Sequence, residues 1–174
     1  MTAGSVEPAP VLVLALGNLL LRDDAVGLCL LEMLMSDPAF GPEVDFIDGG
    51  TQGLALLPYL DGRRALLVLD AVALGAAPGT VHMVRRGQLE GLRARAAGSA
   101  HEGGALELLA TARMLGIETS DITIVGIEPA EVSTGIGLSP EVQSALAEAL
   151  DSARNELREL CGAGLHTGMA APGK

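Results

Sequence analysis

One segment constrains the fold of this chain more than any other: Val11-Leu-Val-Leu-Ala-Leu-Gly-Asn-Leu-Leu-Leu-Arg-Asp-Asp-Ala-Val-Gly27. Val11 to Leu16 is continuously apolar, with no polar alternation. A strand of that kind is buried on both faces, as in a parallel sheet covered by helices. Gly17-Asn18 breaks the run as a turn signal. Asp23 and Asp24 then precede a second apolar stretch, which reads as a helix from about Asp24 to Met35 ending near Asp37-Pro38. A strand, a turn and a helix start therefore carry carboxylates at their junction. In open α/β sheets the crevice beyond the carboxyl ends of the strands is where ligands bind.

That position also suits a dinucleotide, but the residues do not. A Gly-x-Gly-x-x-Gly turn lets the backbone approach a pyrophosphate. Here its three positions hold Ala15, Gly17 and Leu20, and only the middle one fits. Two aspartates at the helix start would repel a phosphate, and the P-loop pattern Gly-x4-Gly-Lys-Ser/Thr is absent.

The rest of the chain alternates strand and helix signals. Val44 to Asp48 alternates and stops at Gly49-Gly50, a short strand and turn; Gln52 to Tyr59 fits a short helix. Arg64 to Asp70 is the clearest central strand and ends on an acid. After a turn at Gly75 to Gly79, Thr80 to Val84 follows so closely that it returns antiparallel at a sheet edge. Arg85 to Ala100 is basic, irregular and Gly-containing, and reads as a loop. Leu106, Leu109, Ala110 and Leu115 make a helical stripe after His101. Asp121 to Ile127 is a strand. A final helix opens at Ser139-Pro140 with Glu141 in its first turn and repeats Val142, Leu146, Leu150, Ala153 and Leu157. The expectation is one three-layer α/β/α domain over residues 11–160. Its sheet is twisted and mostly parallel, with about five strands, one of them an antiparallel edge strand. The tails, 1–10 and 161–174, carry no periodicity and read as disordered, with Cys161 at a frayed end.

Composition narrows the function classes. Hydrophobic residues make up 49% of the chain but aromatics only 2%, so the core is built of Leu, Ala, Val and Ile. The formal net charge of −11 argues against nucleic acid or an anionic membrane as partner. No basic, apolar leader opens the chain and no stretch has the length of a membrane span, so the cytoplasm is the expected compartment. Cys29 and Cys161 make no disulfide framework, and Cys29 falls in the apolar pattern of the first helix.

Three groups that can carry chemistry fall at strand–helix edges: Asp24, Asp70 and His101. If the first and third strands are neighbours, Asp24 and Asp70 converge, and His101 joins them if its loop folds over the same crevice. Two carboxylates and an imidazole make a partial shell for a divalent transition metal such as nickel or zinc, with positions left open. Each residue also has an ordinary role available: Asp24 as a helix cap, Asp70 as a strand end, His101 as a surface residue. The spacing lacks the compact pairing of His-Glu-x-x-His or Cys-x-x-Cys. No Gly-x-Ser-x-Gly elbow is present, Ser99 lies too close to His101 in sequence for a nucleophile–base pair, and neither cysteine sits in an electropositive turn. A hydrolase reading therefore rests on carboxylates, a metal, or both.

Taken in order, several pieces of the chain resemble the hydrogenase maturation proteases, which trim the C-terminal extension of the [NiFe]-hydrogenase large subunit. The pieces are Leu16-Gly-Asn-Leu-Leu-Leu-Arg-Asp-Asp-Ala-Val-Gly27, Asp48-Gly-Gly-Thr51, Leu69-Asp-Ala71 with Pro78-Gly-Thr80, His101 with Gly104, and Val125-Gly-Ile-Glu-Pro129 followed by Gly137-Leu-Ser-Pro140. They cover roughly residues 11 to 157. Ala15 and Ala100 stand where that family often has glycine and proline. The resemblance implies a twisted, mostly parallel sheet between helices. It implies that Asp24, Asp70 and His101 contact the metal and carry catalysis, and that Asp48, Gly49, Gly50 and Thr51 line the substrate cleft. It further implies that the precursor of the large subunit is the partner and that nickel arrives in that substrate rather than as a permanent cofactor. A noncatalytic nickel-binding or chaperone module for hydrogenase assembly would use the same three ligands.

Overall fold

The computed structural model describes residues 8–89, 91 and 104–162. Five strands form one sheet in the order β2-β1-β3-β5-β4: β1 Val11–Leu16, β2 Val44–Gly50, β3 Ala65–Ala71, β4 Val81–Arg85 and β5 Asp121–Ile127. The β1–β2, β1–β3 and β3–β5 pairs are parallel, and β4 runs antiparallel to β5 at the edge. The expected architecture is thus the observed one. The helices are α1 Val26–Met35, α2 Leu57–Leu60, α3 Ala105–Met114 and α4 Pro140–Gly162.

The apolar run of β1 is explained by what covers it. Val11, Val13 and Ala15 pack with α1 and α4, while Leu12, Leu14 and Leu16 pack with α2 and α3. Side chains alternate across a strand, so both faces of β1 are core, and all its residues are at most 1% exposed. Leu67 and Leu69 of β3 continue the first face, Leu66 and Val68 the second. Aliphatic side chains on both faces compensate for the lack of aromatics.

Four boundaries differ from the sequence reading. The first helix does not begin at Asp24: a 3-10 turn, Arg22–Ala25, comes first, and Ala25 occupies the N-cap position of α1 without a side-chain cap. Gly49-Gly50 is not a free turn. Both residues belong to β2, where a register shift pairs Ala15 with Asp48 and Leu16 with Gly50, and the Gly17 N–H donates to the Gly50 carbonyl. The Gln52–Tyr59 helix is a 3-10 turn, Gly53–Leu56, continued by α2. Finally, α4 runs through Cys161, which is half-buried against the core rather than frayed.

The strand order fixes where a ligand site falls. The chain leaves β1 toward β2 on one side and continues from β3 toward β5 on the other. The carboxyl ends of β1 and β3 therefore flank the point where the winding reverses, which is where a crevice opens in such sheets.

Candidate active site

Asp24 and Asp70 lie at that reversal point. β3 delivers Asp70 at its penultimate position, beside Gly126 of β5 in register. The turn after β1 delivers Asp24. Two glycines allow this turn to sit against the strand ends. Gly17 has φ +133°, and a Cβ on it would lie 1.9 Å from the Asp24 carbonyl oxygen; a Cβ on Gly27 would lie 2.4 Å from the Leu16 carbonyl and 2.5 Å from that of Leu69. No other residue type permits so close an approach of helix start to sheet.

The two acids sense each other. Asp70 is only 6% exposed, and its Oδ2 accepts a 2.8 Å hydrogen bond from the Ala105 N–H at the start of α3. Its pKa is raised from 3.8 to about 7: burial is the largest cause, and the negative charge of Asp24 adds to it, against hydrogen bonds from the Ala105 and Ala71 backbone. Asp70 therefore holds its proton to far higher pH than an exposed aspartate does. Asp24 itself is half-buried. A buried carboxyl whose charged form is disfavoured beside a second acid is chemically suited to give up its proton to a cation, or to move one in a reaction.

The neighbouring acid has a different occupation. Asp23 is fully buried. Its Oδ2 accepts the Ala130 and Glu131 N–H groups at 2.9 Å each, and its Oδ1 accepts the Ser139 N–H at 2.6 Å. Burial acts to raise its pKa, but the hydrogen bonds from Ser139, Glu131 and Ala130 together outweigh it and hold the carboxyl below the usual range. Asp23 thus ties the 130–139 segment to the turn that carries Asp24.

Glu128 performs the same service on the other flank of Asp70. It is 5% exposed and accepts the Leu74 N–H at 2.9 Å, the Gly75 N–H at 3.0 Å and a bond to His82 Nε2 of 2.8 Å. Burial is again the largest influence, and the Leu74, His82, Gly75 and Ala76 hydrogen bonds together turn the net shift downward. His82 of β4 is the side-chain partner in this anchor of the loop that follows β3. The sequence reading places Asp23 beside Asp24 and Glu128 in a family-like piece but assigns neither an anchoring role. The available signal was their placement: an acid next to another acid in a tight turn, and an acid before Pro129 at the end of a buried strand.

The other expected site residues divide. Asp48 is exposed, and Asp48, Gly49 and Gly50 end β2 at the same sheet edge, one strand beyond β1, with Thr51 in the turn that follows. His101 lies outside the described residues, as does Ser99. Among the described residues no group of three His, Cys, Asp or Glu side chains is placed to hold a metal ion. The two-carboxylate portion is therefore the part of the trio whose surroundings are defined.

Known proteins share both the sequence and this architecture. A family model described as hydrogenase maturation protease matches residues 29–156. The chain is 37% identical over 153 residues to the hydrogenase expression/formation protein HupD of Rhodobacter capsulatus, covering 87% of this chain and 73% of that one. It is 34% identical over 150 residues to the hydrogenase 2 maturation protease of Escherichia coli strain K12, covering 86% and 91% of the two chains. Among solved structures, the hydrogenase maturating endopeptidase HybD from Escherichia coli superposes with a TM-score of 0.75 at 33% identity, over 86% of this chain and 92% of that one. A family model over most of the chain, relatives more than 30% identical along most of their length, and a shared five-stranded architecture lead to one assignment: this protein belongs to the hydrogenase maturation protease family and is a peptidase.

Proposed function

We propose that this protein is the endopeptidase that removes the C-terminal extension of a [NiFe]-hydrogenase large subunit after nickel insertion, and that it recognises the nickel in that precursor through Asp24, Asp70 and His101. The observation that carries the reading is Asp70: a buried carboxylate at the reversal point whose pKa is raised to about 7 beside Asp24. A purely structural acid gathers donors until its charge is satisfied, as Asp23 does. Asp70 is left with an interaction that a cation brought to the crevice would complete.

The chain's own residues then have distinct tasks. Asp24 and Asp70 supply oxygen ligands, and His101 would supply a nitrogen, an incomplete shell that favours a metal already held by substrate ligands. Bound nickel is a Lewis acid, able to polarise a scissile carbonyl or a water. Because a metal-bound carboxylate is not free to act as a base, Asp24 or Asp70 would take the proton from the attacking water only while disengaged from the metal, in the manner of an aspartic-type base. Asp48 and the backbone of Gly49, Gly50 and Thr51 line the cleft where the substrate chain runs. The same proposal places the reaction in the cytoplasm. Among the described residues no helix is long and apolar enough to cross a membrane.

The test is processing of the large-subunit precursor with and without nickel. Shortening of the nickel-loaded precursor alone is the expected result, together with weak nickel binding by the isolated protease. Equal cleavage of both forms would exclude nickel recognition. Binding without cleavage would favour a chaperone module using the same ligands.

A further inference from the structure

The turn that carries Asp24 also displays apolar side chains that the proposed chemistry leaves without a task. Leu19 is 56% exposed and Leu20 61%. They do not stand alone. The Gly135 N–H donates to the Leu20 carbonyl at 2.9 Å, and the Arg22 N–H donates to the Gly135 carbonyl at 3.0 Å, so Leu21 and Gly135 form a short parallel bridge. The residue after Gly135 is Ile136, 85% exposed, the most exposed of the large aliphatic residues described. Leu19, Leu20 and Ile136 thus occupy two segments joined by backbone hydrogen bonds.

The joint is heavily built. Asp23 commits a fully buried carboxylate and three backbone hydrogen bonds to holding the 130–139 segment here. Arg22, at the centre of the bridge, has φ +49° and is the non-glycine residue with positive φ among those described. Such a conformation persists only where the surroundings impose it. A loop fastened this firmly, showing an isoleucine to solvent, is more than a surface connection. Adjacent exposed apolar residues on a soluble protein mark a contact surface.

We propose that Leu19, Leu20 and Ile136 form the docking platform for the substrate protein, seating apolar side chains that flank its scissile bond. This deepens the function proposed above and rests on it. The occupant follows from continuity with the crevice. Leu20 and Asp24 belong to one turn, so a polypeptide whose peptide bond reaches Asp24 passes over this rim. Two carboxylates read no sequence, and an endopeptidase that acts at one position needs contacts on either side of it. Phe40 and Phe46 pack against the core and the exposed Tyr59 lies in α2, so exposed aliphatic residues are what this turn offers such a partner.

The probe is the nickel-loaded large-subunit precursor, with processing kinetics read alongside calorimetric affinity. Ile136→Asp and Leu20→Ser change exposed side chains. Each is expected to raise KM and the dissociation constant for precursor by about tenfold or more with kcat retained. Met114→Asp is the control: Met114 is 81% exposed, but it ends α3, whose first residue meets Asp70, and so lies about 15 Å away along that helix. It is expected to change nothing. An unchanged KM and affinity in both rim variants would overturn the platform. So would an equal loss in Met114→Asp, or a rim substitution that dissolves a self-association measured by sedimentation instead of weakening precursor binding. Failure of the wild-type protein to cleave would count against the proposed reaction alone, since precursor affinity still reports on the rim.

Discussion

Asp23 and Asp70 are both buried aspartates at the same end of the same sheet, and they are held in opposite states. Asp23 meets three backbone N–H groups and is driven toward the charged form. Asp70 meets the Ala105 and Ala71 amides, faces the charge of Asp24, and is driven toward the neutral form. Burial raises both, but at Asp70 it outweighs two amide donors, with the charge of Asp24 adding to it, whereas at Asp23 the hydrogen bonds outweigh burial. Under the proposed function the contrast separates scaffold from site: one carboxylate is saturated by the protein, and the other is the one assigned to the reaction. Glu128 and Glu156 belong with Asp23. Glu156 is buried but accepts from Thr123 and Arg85, and its pKa is lowered despite burial.

The largest expected effect breaks the comparison at its reactive half. Asp24→Ala, Asp70→Ala and His101→Ala should each reduce precursor processing by about 10³-fold, the order expected for loss of a general base or a metal contact. Cys29→Ser and Ser99→Ala should retain activity. Burial is the main cause raising the Cys29 thiol pKa, and Glu32 adds to it, so the nucleophilic thiolate is disfavoured. A time course of large-subunit shortening, on variants shown to be folded, reads the result. An inactive Cys29→Ser with an active Asp24→Ala would replace the carboxylate mechanism with a thiol one.

The next effect tests the saturated half. Asp23→Ala strands three backbone N–H groups and should cost about 3 kcal/mol of stability in urea denaturation. Asp23→Asn should cost less, because an amide oxygen still accepts while its NH2 faces donors. The sign with pH is fixed by the lowered pKa: the contribution of Asp23 is complete above its unfolded value near 3.8 and is lost as pH falls through the lower folded value. If Asp23→Ala were as stable as the parent, the division between scaffold and site would fail.

The halves were not equally legible in the sequence. The alternating layers follow from the continuous run of β1 and the periodicity of α4, because burial on two faces leaves no other pattern. Asp24 and Asp70 stood out because acids at strand ends face the crevice of such a sheet. The roles of Asp23 and Glu128 were not readable. Both depend on backbone amides distant in sequence, Ser139 for one and Leu74 for the other, and local pattern carries no record of such partners. The two-residue shortening of the first helix has the same origin. Arg22 takes a positive φ to meet Gly135, and nothing in Arg22 itself announces it.

The smallest effect is the most discriminating, because it runs against activity. Asp70→Asn should abolish processing yet stabilise the fold above neutral pH. The folded pKa of about 7 lies above the unfolded 3.8, so the folded state binds the proton more tightly. Below 3.8 the carboxyl is neutral in both states and burial carries no charge penalty. As pH rises between the two values, the unfolded chain ionises first and wild-type stability falls; above about 7 the penalty is fully present. The span between them sets a ceiling of about 4 kcal/mol. Asparagine keeps an oxygen for the Ala105 N–H but carries no charge, and relaxation around the wild-type carboxylate reduces the gain to about 2 kcal/mol at pH 8. The advantage should shrink toward zero by pH 4, the opposite trend to that of Asp23. Paired urea titrations of wild type and Asp70→Asn at pH 4, 6 and 8 measure it. A gain independent of pH would mean that Asp70 is an ordinary strand-end acid, and the contrast with Asp23 would lose its chemical meaning.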